Sequence, residues 1–210
     1  VSAPNYDRIA KAYRWLEYLM LGPLLERTRN YHLGRVTGCR QALILGDGDG
    51  RFTARLLEQN AAMRAEAVDV SGTMLELLAK RARASEGRLR TVQMDAREYV
   101  PRERPDLVCT HFFLDCFTQV DVDAMIARLA PAVAPGCLWV VSDFRIPGGL
   151  MRFPARLYVR GLYFAFRVLT GLRTDRLPDF ATPLLRAEFQ LVAEHHLLFG
   201  LLTTELWKRD

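Results

Sequence analysis

Between Leu43 and Gly50 the chain reads Leu-Ile-Leu-Gly-Asp-Gly-Asp-Gly. An apolar run that ends in Gly46, Gly48 and Gly50 and passes into a helical pattern at Phe52 is a strand–turn–helix junction. Glycine lets such a turn close tightly, and lets backbone approach a ligand where a Cβ would intrude. A dinucleotide would need a further glycine at position 51 to seat its diphosphate at the helix N-terminus, and that residue is Arg51. Asp47 and Asp49 would also repel phosphate, so NAD is disfavoured. The loop suits a ligand that carries a cationic amino group and no phosphates. A tight turn that holds no ligand is the plainer alternative.

Two acids follow in register with this loop. Asp69 closes a strand-like run, in Ala67-Val68-Asp69-Val70-Ser71, and Asp95 closes another, in Val92-Gln93-Met94-Asp95-Ala96. A carboxylate at the C-terminal end of a strand, where α/β proteins hold ligands, can accept two hydrogen bonds from a vicinal diol. Met74 and Met94 could sandwich an aromatic ring, although methionine is commonly core filler. A last chemical segment, Thr110-His111-Phe112-Phe113-Leu114-Asp115-Cys116-Phe117, follows a buried-type strand. His111 and Asp115 are its candidate bases, against the alternatives of a structural histidine and a helix-capping aspartate.

These residues sit on an alternating frame. Strand-like runs at 42–45, 65–69, 89–94, 106–113 and 137–142 are separated by helical patterns at 52–57, 73–83 and 121–134. That rhythm indicates βαβ units and a parallel sheet covered on both faces. Helical stretches at 150–172 and 180–187 precede two strand-like runs, 190–199 and 201–208, whose connection at Gly200 is too short for anything but a hairpin. The expected fold is a Rossmann-like, doubly wound α/β sheet of seven strands, mostly parallel, closed by an antiparallel C-terminal hairpin strand. Its expected organisation is one domain: a helical cap (1–38), a ligand-binding core (39–144), lid helices (145–189) and the closing hairpin (190–208).

The order of these motifs resembles the class I S-adenosylmethionine-dependent methyltransferases, nearest in style to the small ubiquinone and menaquinone biosynthesis type. The resemblance covers roughly residues 5–144. It implies that Gly46, Asp47, Gly48 and Gly50 bind S-adenosyl-L-methionine and its product S-adenosyl-L-homocysteine. Asp69, with Val70 and Met74, would hold the ribose and adenine, and Asp95 with Ala96 would lie by the adenine amino group. The segment from Tyr6 to Tyr13 resembles the N-terminal helix over the cofactor's methionine end, so both tyrosines are candidate cofactor residues. The segment after the fourth strand would face the sulfonium and acceptor. No Asn-Pro-Pro-Tyr or Asp-Pro-Pro-Tyr is present there, which disfavours amino methylation of bases or protein amides. Phe112, Phe113, Tyr158 and Tyr163 are the acceptor-side candidates, and they favour a small aromatic or lipophilic acceptor.

The chain has 210 residues, with half of them hydrophobic and a quarter charged, a composition suited to one globular domain. No run approaches a membrane span, and no signal peptide is visible. Cys39, Cys109, Cys116 and Cys137 form no metal-like spacing. The neighbours His195 and His196 on one strand point to opposite faces, and no metal is expected. These features indicate a cytoplasmic protein. Net charge is +5, yet residues 145–176 alone carry seven arginines and one acid. With about 100° per residue, Arg152, Arg156, Arg160 and Arg167 form one helical stripe, with Tyr163 inside it. Three readings of that stripe stay open: a solvated lid face, a peripheral contact with anionic membrane, and, least favoured, a nucleic-acid surface. Oligomeric state is not encoded in any of these features. A relative that binds the cofactor without methylating, or a peripheral membrane-binding protein, are the alternatives to an enzyme.

Overall fold

Strand β1 (Gln41–Leu45) is buried along four of its five residues and lies third in a seven-stranded sheet, beside the central strand. The computed structural model describes residues 21–170, 174 and 176–210, and the N-terminal segment that holds Tyr6 and Tyr13 lies outside them. The other strands are β2 (Arg64–Asp69), β3 (Leu89–Gln93), β4 (Leu107–His111), β5 (Leu138–Phe144), β6 (Phe189–Leu197) and β7 (Leu202–Arg209). Their order is β3-β2-β1-β4-β5-β7-β6. Strands β1 to β5 pair in parallel, and β7 pairs antiparallel with both β5 and β6. The last strand therefore slots between β5 and β6, leaving β6 at the edge.

The helices follow the sequence pattern: α1 (Gly22–Asn30), α2 (Arg51–Gln59), α3 (Gly72–Arg81), α4 (Gln119–Leu129), α5 (Arg152–Thr170) and α6 (Ala181–Arg186). Strand alternation sends Leu43 and Leu45 to one face, where Val122, Ile126 and Leu129 of α4 and Leu184 of α6 cover them. Ala42 and Ile44 go to the other face, against Phe52, Leu56 and Leu57 of α2. Both faces being covered explains why the central strands read as unbroken apolar runs. A third apolar cluster lies at the ligand end of the sheet. It joins Leu25 of α1, Phe112 and Phe144 from the ends of β4 and β5, and Ala155, Val159, Leu162 and Tyr163 of α5.

Three boundaries differ from expectation in ways that matter for the site. Strand β4 stops at His111 because Phe112 adopts a left-handed φ of 51°. Strand β5 continues past Ser142 to include Asp143 and Phe144, which pair with Thr203 and Leu202. Helix α4 is capped by Thr118, in a reciprocal capping box with Asp121, so Asp115 is not its cap.

Candidate active site

The three glycines of the loop after β1 all have positive φ, but they face different things. A Cβ on Gly46 would lie 2.1 Å from Cδ2 of Phe113. One on Gly50 would lie 2.6 Å from the backbone of Leu78 in α3. A Cβ on Gly48 would meet nothing within 4 Å. Gly50 thus serves the close packing of α2 on α3, and Gly46 leaves room for an aromatic wall. Gly48 is the glycine whose backbone is open to a ligand.

Asp47 turns inward rather than outward. Its Oδ2 accepts hydrogen bonds from the backbone N–H (2.9 Å) and the hydroxyl (2.6 Å) of Thr53, which tie the loop to the first turn of α2. Its Oδ1 is buried without a hydrogen-bond partner, and burial pushes its pKa up to about 6. An unpartnered buried carboxylate oxygen at a glycine loop has capacity for a donor such as an ammonium group. Asp49, by contrast, is paired with Arg81 at 2.8 Å and Arg51 at 3.2 Å and is committed to the loop's own structure. The repulsion of phosphate expected from two free acids therefore rests on Asp47.

Asp69 stands at the end of β2, where its Oδ1 accepts the backbone N–H of Ser71 at 2.9 Å. Ser71 in turn caps α3 by accepting the N–H of Met74. Val70 is half-buried and its carbonyl accepts Gln93, while Met74 and Ala96 are buried and Met94 is exposed. Met74 and Met94 are thus in unlike environments. Asp95 is gripped by Arg97, whose guanidinium forks onto both carboxylate oxygens at 2.6 to 3.1 Å, and that bond holds its pKa below the usual range.

The two candidate bases lie on opposite faces of the sheet. His111 shares the α2 face with Cys109, is buried, and packs its ring edge-on to Phe52 at 4.2 Å. Its Nδ1 lies 2.9 Å from Ser142 Oγ, which lies 2.8 Å from Thr204 Oγ1. Its Nε2 has no partner, and burial pulls its pKa well below 6.5, so it is neutral at pH 7. Asp115 sits in a buried turn (Leu114–Cys116) on the α4 side. Its backbone N–H donates to Asp143 Oδ2 at 3.2 Å, and its carbonyl accepts the hydroxyl of Tyr163 at 3.0 Å. Burial raises the Asp115 pKa to about 6, and burial followed by the nearby Asp115 charge raises that of Asp143 well above the carboxylate range.

Asp143 lies one residue beyond the strand expected over 137–142, so the apolar pattern alone does not single it out. The signal was an acid ending a run of apolar strand residues, where a charge is hard to bury without purpose. Around this pair stand the aromatic candidates. Phe113 lies across Gly46 and meets Phe117 edge-on at 4.9 Å, and Phe112 meets Phe144 at 5.3 Å. Arg29 of α1 lies 5.3 Å from the Phe112 ring centroid, in cation–π range. Tyr158 is half-buried in the third cluster. Tyr163, expected within the arginine stripe, is instead turned inward and buried. His195 and His196 do point apart, one stacked on Tyr31 and the other beside Arg145 and Glu194.

Comparison with known proteins bears on this geometry. Residues 42–136 match the family model described as "Methyltransferase domain". No protein of curated function matches the chain. Among solved structures, the mitomycin 7-O-methyltransferase MmcR superposes with a TM-score of 0.73 at 18% identity, over 97% of this chain and 60% of that one. An O-methyltransferase family protein from Burkholderia thailandensis gives 0.73 at 19% identity, with the same coverage. The N-methyltransferase NodS from Bradyrhizobium japonicum WM9, in complex with S-adenosyl-L-homocysteine, gives 0.62 at 15% identity over 89% of this chain and 88% of its own. The chain spans about three-fifths of the length of the first two. The matched segment holds the glycine loop after β1 and the acid that ends β2, and the β3-β2-β1-β4-β5-β7-β6 sheet has the Rossmann-like fold of these methyltransferase structures.

Proposed function

We propose that the protein transfers a methyl group from S-adenosylmethionine to a small, lipophilic, hydroxyl-bearing acceptor. The observation that carries this reading is the buried Asp115–Asp143 pair, roofed by Tyr163, next to an aromatic wall that abuts the glycine loop. The cofactor, when bound, supplies an electrophilic methyl group on a sulfonium. The residues that would hold it are the backbone at Gly46 to Gly48 and the carboxylates of Asp47 and Asp69. Val70, Met74, Asp95 and Ala96 would line the adenine end, and Tyr6 and Tyr13 the amino-acid end.

Methyl transfer of this kind is an in-line displacement, to which a protein contributes chiefly proximity and alignment. A base helps only where the acceptor must lose a proton. Asp115, with a pKa of about 6, is ionised at neutral pH and still basic enough to accept that proton. Asp143 stays protonated beside it, so the pair does not repel itself apart. His111 is neutral but sealed against Phe52 on the opposite face, which favours a structural role for it. Phe112, Phe113, Tyr158 and Tyr163 would exclude water and give an apolar acceptor its affinity. The O-methyltransferase neighbours support a hydroxyl as the acceptor group.

The test uses methyl-labelled S-adenosylmethionine and hydroxylated aromatics of graded lipophilicity, with label counted in the organic extract. Turnover is expected to rise with lipophilicity, and Asp115→Asn to lower kcat more than it raises KM. Cofactor binding without transfer to any such acceptor, or transfer to RNA alone, would overturn the proposal.

A further inference from the structure

Helix α5 has more apolar surface than its packing uses. Its inner face is accounted for by Ala155, Val159, Leu162 and Tyr163, all buried in the third cluster. Opposite them, Phe153 is 78% exposed, Leu157 65% and Phe164 70%, and Leu150 just before the helix is 98% exposed. With about 100° per residue these four fall within a single arc, roughly a sixth of a turn wide, directly beside the stripe of Arg152, Arg156, Arg160 and Arg167. All four arginines are exposed.

The hairpin between β6 and β7 adds a second element to the same end. Its tip, Leu198-Phe199-Gly200, holds three successive left-handed residues, with φ of 49°, 55° and 86°. Left-handed backbone is strained for leucine and phenylalanine, and here it projects Phe199 78% into solvent. Gly200 abuts Pro147, only a few residues before α5. Residues 144–174 contain no aspartate or glutamate, so nothing in the segment offsets its positive charge.

We infer that α5 and the Phe199 tip form an interfacial surface that seats the protein on an anionic lipid bilayer. An exposed apolar stripe bordered by cationic side chains is the pattern of a helix lying in the headgroup plane: the aromatic and leucine side chains enter the acyl boundary and the arginines meet anionic headgroups. Arginine stems also reach past apolar neighbours to keep the guanidinium among polar groups. A nucleic-acid surface would account for the arginines but not for a contiguous row of Leu150, Phe153, Leu157 and Phe164. No helix among the described residues is long and apolar enough to cross a membrane, so this helix lies on the surface. The inner face of the same helix carries Tyr163 at Asp115, which puts the bilayer contact one helix thickness from the proposed acceptor site.

The experiment is flotation of the full chain with vesicles of phosphatidylcholine alone, and with about one lipid in three replaced by phosphatidylglycerol. Binding is expected to the anionic vesicles and to be at least about tenfold weaker on the neutral ones. R156Q/R160Q should weaken anionic binding about 30-fold, from the usual contribution of each arginine near such a surface. F153S/F164S should weaken it at least about tenfold, and neither pair should change the affinity for S-adenosylhomocysteine by calorimetry, which also reports a folded protein. Absence of wild-type binding to anionic vesicles, or equal binding to both compositions, would overturn the inference. So would F153S/F164S binding like wild type while RNA competes the protein off, the signature of a phosphate-backbone surface. A concentration-dependent dimer that F153S/F164S dissociates, without vesicle binding, would instead assign the stripe to a contact between two copies.

Discussion

The glycine loop yields the sharpest quantitative prediction, because two of its glycines share a backbone conformation and differ in what a side chain would meet. Gly46 and Gly48 have φ of 66° and 61°, so an alanine at either pays the same left-handed penalty of about 1–2 kcal/mol. At position 48 that is the whole effect on stability, since a Cβ there meets nothing within 4 Å. At position 46 the Cβ would sit 2.1 and 2.6 Å from two ring atoms of Phe113, which must move within a packed aromatic wall. Overpacking of that kind adds about 1–3 kcal/mol. Urea unfolding should therefore show Gly46→Ala destabilised by about 2–5 kcal/mol and Gly48→Ala by about 1–2. In a Phe113→Ala background the excess at position 46 should disappear, giving a coupling of about 1–3 kcal/mol in the double-mutant cycle. S-adenosylhomocysteine binding should show the reverse ranking per unit of stability lost: Gly48→Ala, although milder for folding, obstructs the open backbone and should lose at least about tenfold in affinity. Equal destabilisation at the two positions, or a penalty at Gly46 that persists without the Phe113 ring, would refute the division of labour within the loop.

Two further outcomes follow from the same physical picture. Burial raises the Asp47 pKa to about 6 from the ordinary carboxylate value of 3.8, so the native state binds the proton more tightly than the unfolded chain does. Its contribution is fully present below about pH 4 and is lost as pH rises through about 6, so Asp47→Asn should gain on wild type by up to about 3 kcal/mol between pH 4 and 7 in the ligand-free protein. Parallel stability curves for the two proteins would contradict this. Tyr163→Phe removes the hydroxyl that bonds the Asp115 carbonyl at 3.0 Å and should lower stability by about 1 kcal/mol, with faster amide exchange in α5 and unchanged exchange in β1. Uniformly faster exchange would mean that the bond does not anchor the lid locally.

Much of this architecture can be read from sequence because it depends on local pattern. The apolar runs at 42–45, 106–113 and 137–142 could only be buried on both faces, and the span at Gly200 could only be a hairpin. The glycine loop and Asp69 were legible for the same reason: a strand end fixes where its next residues lie. What eluded that reading is set by contacts distant in sequence. Gly50 is needed for the approach of Leu78, and nothing near residue 50 announces it. Tyr163 falls inside the arginine stripe and next to the buried arc of α5, and only the docking of the helix decides which it joins. His111 and Asp115 are four residues apart, yet the left-handed turn at Phe112 sends the chain between them across the sheet edge. Asp143 is set beside Asp115 only because β5 extends two residues beyond the apolar run, bringing its carboxylate to the Asp115 N–H.

The central claim is that the loop from Gly46 to Gly50 and Asp69 hold S-adenosylmethionine. Isothermal titration of the full chain with S-adenosylhomocysteine tests it most directly, with NAD as the competing ligand and Asp69→Ala as the control. Micromolar binding of S-adenosylhomocysteine, no binding of NAD, and at least about tenfold weakening by Asp69→Ala are the predicted results, the last from loss of charge-assisted hydrogen bonds. No binding by wild type would contradict the account and leave the glycine loop as a structural turn.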